Sequence, residues 1–384
     1  MMEDISAEFE EKRKSRCRLR DLGIQLGVYP TGQHNAITDV EGVRVGHTTV
    51  IRGRGKRKPS QGPVRTGVTV ILPSERIFDQ KLVANGFILN GAGEVAGLTQ
   101  LSEWGLIETP IALTNTMAVG RVSDAVNKWM SKKYSRIWDE RNVIIPVVGE
   151  CDDSFLNDSV GHHVKREDVV AALENAQTGP VAEGAVGSGT GMICCDFKAG
   201  IGTSSRIIRI GDKDYTIGVL VMSNFGVMEE LRVDGLPVGR LLAKTQGAYR
   251  RRVDNYGSII AVVATDLPLG PMQLGRLCKR SALGIGRVGS HAAHGSGEII
   301  VGFSTANWIN HGGTPPEYQL DIIRDEFVGP AYRGVIEATE EAILNSLTAS
   351  VSMDGVDGHD VPAIDIERLK KYYQGFKDFE QSFI

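Results

Sequence analysis

The sequence predicts one α/β domain, with strands mixed in a layered sheet and helices on the outside. Three observations carry this. Short apolar, β-branched runs alternate with segments of helical periodicity along all 384 residues. No internal repeat and no Pro/Ser-rich linker divides the chain. The 46 glycines stand singly between those runs or in tight clusters, such as Gly187-Ser188-Gly189-Thr190-Gly191, and so mark converging turns.

Taken in order, residues 1–18 form a charged, weakly amphipathic arm with helical character. Strand-like runs follow at 43–50, 67–72 and 142–148, and helical patterns at 94–104 and 122–133. Two strands, 205–210 and 215–222, are joined by Gly211-Asp212-Lys213-Asp214, a hairpin signal. Asp254-Asn255-Tyr256 then leads into Gly257-Ser258 and the run Ile259-Ile260-Ala261-Val262-Val263-Ala264. A continuous apolar run after a turn reads as a fully buried strand, with Ser258 at its first position. A helix at 272–283 and a strand at 298–303 follow. A last helix at 335–347 puts Val335, Ala338, Ala342 and Ile343 on one face. The basic stretches 53–62 and 244–252 read as solvated faces.

Composition narrows the function classes. Apolar residues make up 41% and charged residues 23%, ordinary values for a globular chain. A net charge of −4 argues for neither nucleic acid nor a membrane surface as partner. The N-terminus lacks a secretory apolar core, and no stretch reaches the length of a membrane span. The five cysteines are few and odd in number; Cys194 and Cys195, being adjacent, do not readily bridge. The expected setting is the reduced cytoplasm.

Ser258 has a chemistry that an interior serine lacks. If the Gly257–Ser258 bond is cut, residue 258 carries both a hydroxyl nucleophile and a free amine, which can act as its base. Downstream, His291-Ala292-Ala293-His294-Gly295-Ser296-Gly297-Glu298 is dense in reactive groups and leaves three readings open. It is a turn with two surface histidines, a serine–glutamate pair on one strand face, or a metal site on His291, His294 and Glu298. Asn224 ends a strand before Phe225-Gly226, where its amide is either a turn former or a donor to a developing oxyanion. Gly284-Ile285-Gly286-Arg287-Val288-Gly289 matches a dinucleotide pattern, but a helix rather than a strand precedes it. The Gly187–Gly191 cluster has no P-loop lysine, and the Gly-x-Ser-x-Gly elbow of α/β hydrolases is absent from the chain.

Together these pieces resemble the self-processing serine aminopeptidases, the family of L-aminopeptidase/D-esterase-amidase and the β-peptidyl aminopeptidases. The resemblance runs from about Arg20 to about Tyr373. It rests on Asn35-Ala36-Ile37-Thr38-Asp39-Val40, Val45-Gly46-His47-Thr48-Thr49, Arg65-Thr66-Gly67-Val68-Thr69 and Thr114-Asn115-Thr116. It continues through Leu156-Asn157-Asp158, Gly189-Thr190-Gly191-Met192, Gly200-Ile201-Gly202-Thr203, Gly257-Ser258-Ile259-Ile260 and Gly295-Ser296-Gly297-Glu298.

The resemblance implies a four-layer αββα sandwich like that of N-terminal-nucleophile hydrolases, with different connectivity. It implies one domain over residues 1–384 that cuts itself into an α chain, 1–257, and a β chain, 258–384. Ser258 would be the nucleophile, Ser296 and Glu298 its supporting pair, and Asn224 the oxyanion donor. Short peptides, amides or esters would lose their N-terminal residue through an acyl-enzyme. No metal or organic cofactor is implied, and the assembly would be a homotetramer of processed protomers. The chain departs from the family pattern at Val147–Asp153, where an aromatic, often tyrosine, is common at or near Asp152, and at Ala92, where asparagine is common. Glu150 reads as a partner for a substrate ammonium or as half of a structural ion pair. Two alternatives remain: an amidase acting on a non-peptide metabolite, and a non-catalytic binding relative.

Overall fold

The computed structural model describes residues 3–139, 142–246, 257–312 and 316–383. The turn expected at 254–256 and most of the basic stretch 244–252 lie outside them. In chain order the principal strands are β1 (Arg44–Arg52), β2 (Val64–Leu72), β3 (Gln80–Gly91), β4 (Val95–Ala96), β5 (Leu106–Ile107), β6 (Ile111–Asn115) and β7 (Val147–Cys151). They continue with β8 (Ile201–Ile210), β9 (Lys213–Phe225), β10 (Gly257–Thr265) and β11 (Gly297–Asn310). One sheet has the order β1-β2-β6-β7-β4 and the other β8-β9-β10-β11-β3-β5.

The sheets face each other across an apolar layer, and each carries helices on its outer side. Helices α1 (Val119–Lys133) and α2 (Arg166–Glu174) cover the first sheet; α3 (Pro271–Val288) and α4 (Gly329–Thr348) cover the second. The result is the four-layer αββα sandwich. Strand β10 shows why its sequence is apolar without alternation. Ile260, Val262 and Ala264 pack with Val70, Leu113 and Val148 between the sheets. Ile259, Ala261 and Val263 pack with Leu277, Ile285 and Val335 beneath the helices. A strand buried on both faces has no polar side to show.

Three expectations shift. The strand expected at 142–148 is Val147–Cys151, because Pro146 has no N–H for a ladder. The helix expected at 94–104 begins at Leu98; Val95–Ala96 pair with β7 instead. The helix expected at 272–283 runs to Val288 and ends at Gly289, whose φ of +116° needs glycine. Thus the Gly-x-Gly-x-x-Gly match lies in the end of a helix, not at its N-terminus, and cannot cradle a phosphate there. The N-terminal arm is helical over Ser6–Arg13 and anchored by buried Phe9. Among the described residues no helix is long and apolar enough to cross a membrane.

Candidate active site

Ser258 is the second residue of β10 and is 6% exposed. It has the parity of Ile260, so its side chain leaves the strand on the face toward the other sheet. Gly257 before it has φ +90°, a region that L side chains rarely adopt. The bond between them therefore joins a conformation that only glycine takes easily to a buried hydroxyl.

Two neighbouring strands complete the surroundings. Asn224, at the end of β9, is the direct antiparallel partner of Ser258; Gly297, at the start of β11, is its parallel partner. Residues distant in sequence are thus lateral neighbours of the serine. Asn224 Oδ1 accepts the Ile193 N–H at 3.0 Å, and Nδ2 donates to the Asp152 carbonyl at 2.9 Å. These bonds fix which end of the amide is the donor.

Ser296 and Glu298 flank Gly297, and the Ser296 hydroxyl donates to Glu298 Oε1. The i, i+2 pair shares a face, as its spacing implied. Glu298 Oε2 is buried with no hydrogen-bond partner among the described residues. Burial raises the Glu298 pKa, against the opposing Ser296 hydroxyl and the positive field of His291. Ser258 Oγ forms no hydrogen bond to either residue among the described contacts. In the uncut chain its nitrogen is an amide, not a base. The metal alternative finds no support in geometry: among the described residues no group of three His, Cys, Asp or Glu could hold an ion. His291 lies on the surface with Nδ1 3.2 Å from Glu230.

The other sheet supplies the remaining wall. β7 passes close over β10: a Cβ at Gly149 would lie 3.1 Å from Ile260, and Cys151 Sγ reaches the Met222 carbonyl at 3.7 Å. This approach delivers Glu150. Its Oε1 accepts the Glu94 N–H at 2.9 Å and its Oε2 accepts from the Thr116 hydroxyl. Glu150 is 5% exposed and forms no salt bridge with a described residue, so the structural ion pair is not seen. Burial, with Asp152 and Glu94 adding like charge, raises its pKa. Gly93 connects the two halves: a Cβ there would sit 3.2 Å from Glu150 Oε1 and 3.7 Å from Gly297 Cα. Thr116 is a contributor that the sequence showed only within the Thr114-Asn115-Thr116 match. Spacing gave no sign that its hydroxyl would hold Glu150.

The departing segment has its own geometry. Asp152 turns its carboxylate onto the Ser154 N–H and hydroxyl, both at 2.9 Å. Asp153 is buried, bonded by Asn157 Nδ2 at 2.9 Å, and pushed by burial to about 7. Between an unfolded pKa near 4 and that value, the folded state keeps a proton that the unfolded state has lost. Stability is therefore expected to fall as pH rises from about 4 to about 7, by on the order of a few kcal/mol. Glu183, raised to about 7 by burial despite Arg18, acts with the same sign. Urea melts at pH 5 and pH 7.5 check this, and Asp153→Asn should remove about half of the difference.

Comparison with known proteins agrees with this architecture. The family model for peptidase family S58 matches residues 35–361. Beta-peptidyl aminopeptidase BapA of Sphingosinicella microcystinivorans is 42% identical over 372 residues, covering 93% of this chain and 92% of that protein. The crystal structure of the PH0078 protein from Pyrococcus horikoshii superposes with a TM-score of 0.89 at 44% identity, covering 94% of this chain and 99% of that one. The L-aminopeptidase D-Ala-esterase/amidase of Ochrobactrum anthropi superposes at 0.86 with 38% identity and the same coverage; it is described as a prototype for the serine aminopeptidases and a new variant among the Ntn hydrolase fold. The chain belongs to peptidase family S58.

Proposed function

We propose that this chain is an aminopeptidase that cuts itself between Gly257 and Ser258 and then works through the exposed N-terminal serine. The observation that carries the reading is the lateral row Asn224–Ser258–Gly297, with the hydrogen-bonded Ser296–Glu298 pair flanking Gly297 on the neighbouring strand.

In the first step Ser258 Oγ attacks the Gly257 carbonyl carbon; the peptide C–N bond breaks as the nitrogen takes a proton. Water hydrolyses the resulting ester, leaving chains 1–257 and 258–384. The new amine gives residue 258 its own base, and the buried Glu298 carboxylate suits that amine in its protonated form. Ser296, bonded to the same carboxylate, orients it and relays the proton. On substrate, Ser258 Oγ attacks the carbonyl, the Asn224 amide stabilises the oxyanion, and the departing amine takes the proton. Water then releases the N-terminal residue from Ser258.

Glu150 sets the demand for a free N-terminus. A buried carboxylate held by two donors, with no salt bridge to a described residue, suits a substrate ammonium. Acetylating the substrate's amine should therefore lower kcat/KM at least about 100-fold, since a buried charge is left unpaired. Equal rates on free and acetylated anilides would overturn the reading. Because burial raises its pKa, Glu150 loses charge as pH falls through a value above the usual carboxylate range. Glu150 therefore contributes to the acid limb of kcat/KM, and Glu150→Gln should remove that contribution and raise KM while the limb set by the Ser258 amine remains.

The relatives support this choice of reaction, being named as aminopeptidases. The wider proposal is a cytoplasmic homotetramer of processed protomers without a cofactor, and sedimentation of the cleaved protein checks the assembly. The Asp152 turn favours one second reading, an amidase acting on a non-peptide metabolite, because Asp152 stands where an aromatic is common.

A further inference from the structure

Beside the site lies a cavity of about 440 Å³ between β3 and the helix Leu98–Trp104, within the size range of small-molecule pockets. Phe87, Ile88, Val95, Leu98 and Ile299 give it apolar walls, and the exposed Glu94, Thr99 and Ser102 add polar groups to its lining. Gly93 and Ile299 join it to the site. Gly93 borders both Glu150 and Gly297, the lateral partner of Ser258; Ile299 pairs with Ile260, two residues beyond the serine. An acyl residue with its carbonyl at Ser258 and its ammonium at Glu150 would have this cavity beside it.

We propose that the cavity is the side-chain subsite for the N-terminal residue, and that it selects apolar side chains of about leucine size or larger. The proposal rests on the aminopeptidase reading above and names its substrate class. Beyond the exposed Glu94, Thr99 and Ser102, the walls offer an uncharged polar side chain no partner, so it gains little for the water it gives up. An apolar one gains the area it buries. A glycyl or β-alanyl residue reacts at the same serine but leaves the cavity unused.

The discriminating experiment compares kcat/KM for leucyl and glycyl p-nitroanilides in the wild type and in two rim variants, Thr99→Phe and Ser102→Phe. Both positions are exposed, so the added ring fills the cavity mouth without entering the core. The leucyl-to-glycyl ratio should fall at least about tenfold in one or both variants, the scale of misfit in an apolar pocket. The glycyl rate and the cleavage pattern should stay near wild type. An unchanged ratio in both folded, cleaved variants would overturn the subsite. So would an unchanged ratio with altered sedimentation, which would assign the cavity to a contact between copies of the chain. A wild type with no preference for leucyl over glycyl would also refute it. A wild type inert toward both anilides would remove the aminopeptidase reading itself.

Discussion

Ser258→Ala is expected to accumulate as one uncut chain with kcat/KM lowered by at least about 10⁴, the scale seen when a nucleophile is deleted from a unit that acts together. The substitution removes one buried oxygen and no hydrogen bond that the described residues depend on. Stability should change by less than about 1 kcal/mol, so the loss reports chemistry rather than unfolding. Both deficits have one origin, because the same Oγ would open the Gly257 carbonyl and the substrate carbonyl. Thermal melting alongside a denaturing gel separates the cases. A Ser258→Ala protein that still divides at this bond would assign the cleavage to an outside protease.

Asn224→Asp is expected to cost about 10² to 10³ in kcat with KM little changed, the usual loss when one oxyanion donor is removed. Aspartate keeps an acceptor for the Ile193 N–H but cannot donate, and it sets a negative charge where another develops. Asn224→Ala makes a useful companion. It should lose a similar factor in kcat and also about 1–3 kcal/mol of stability, because the Ile193 N–H loses its acceptor and the Asp152 carbonyl loses the Asn224 amide. If KM rises instead while kcat holds, Asn224 is a binding residue and the donor lies elsewhere.

The sequence was most informative where structure is local. β10 was legible because burial on both faces leaves an unbroken apolar run, and Ser296 with Glu298 because strand periodicity alone puts them on one face. β3 was not. Its second half, with Ile88 and Leu89 exposed and Asn85 and Gly86 interrupting, follows neither period. α2 was missed because nine residues bury only Val169, Ala172 and Leu173. The pairing of Asn224 with Ser258 depends on sheet register, which no local pattern encodes. The state of Glu150 is likewise a property of the assembled site: its type suggested either a ligand for ammonium or half of an ion pair, and only packing shows two donors and, among the described residues, no ion-pair partner.

Intact-mass analysis with N-terminal sequencing of the purified wild type, assayed in the same preparation, is the most direct test of the central claim. The account expects two chains, 1–257 and 258–384, with Ser258 as the second N-terminus and hydrolysis rising in step with the cleaved fraction. A single unbroken chain that hydrolyses aminoacyl anilides at full rate would contradict it.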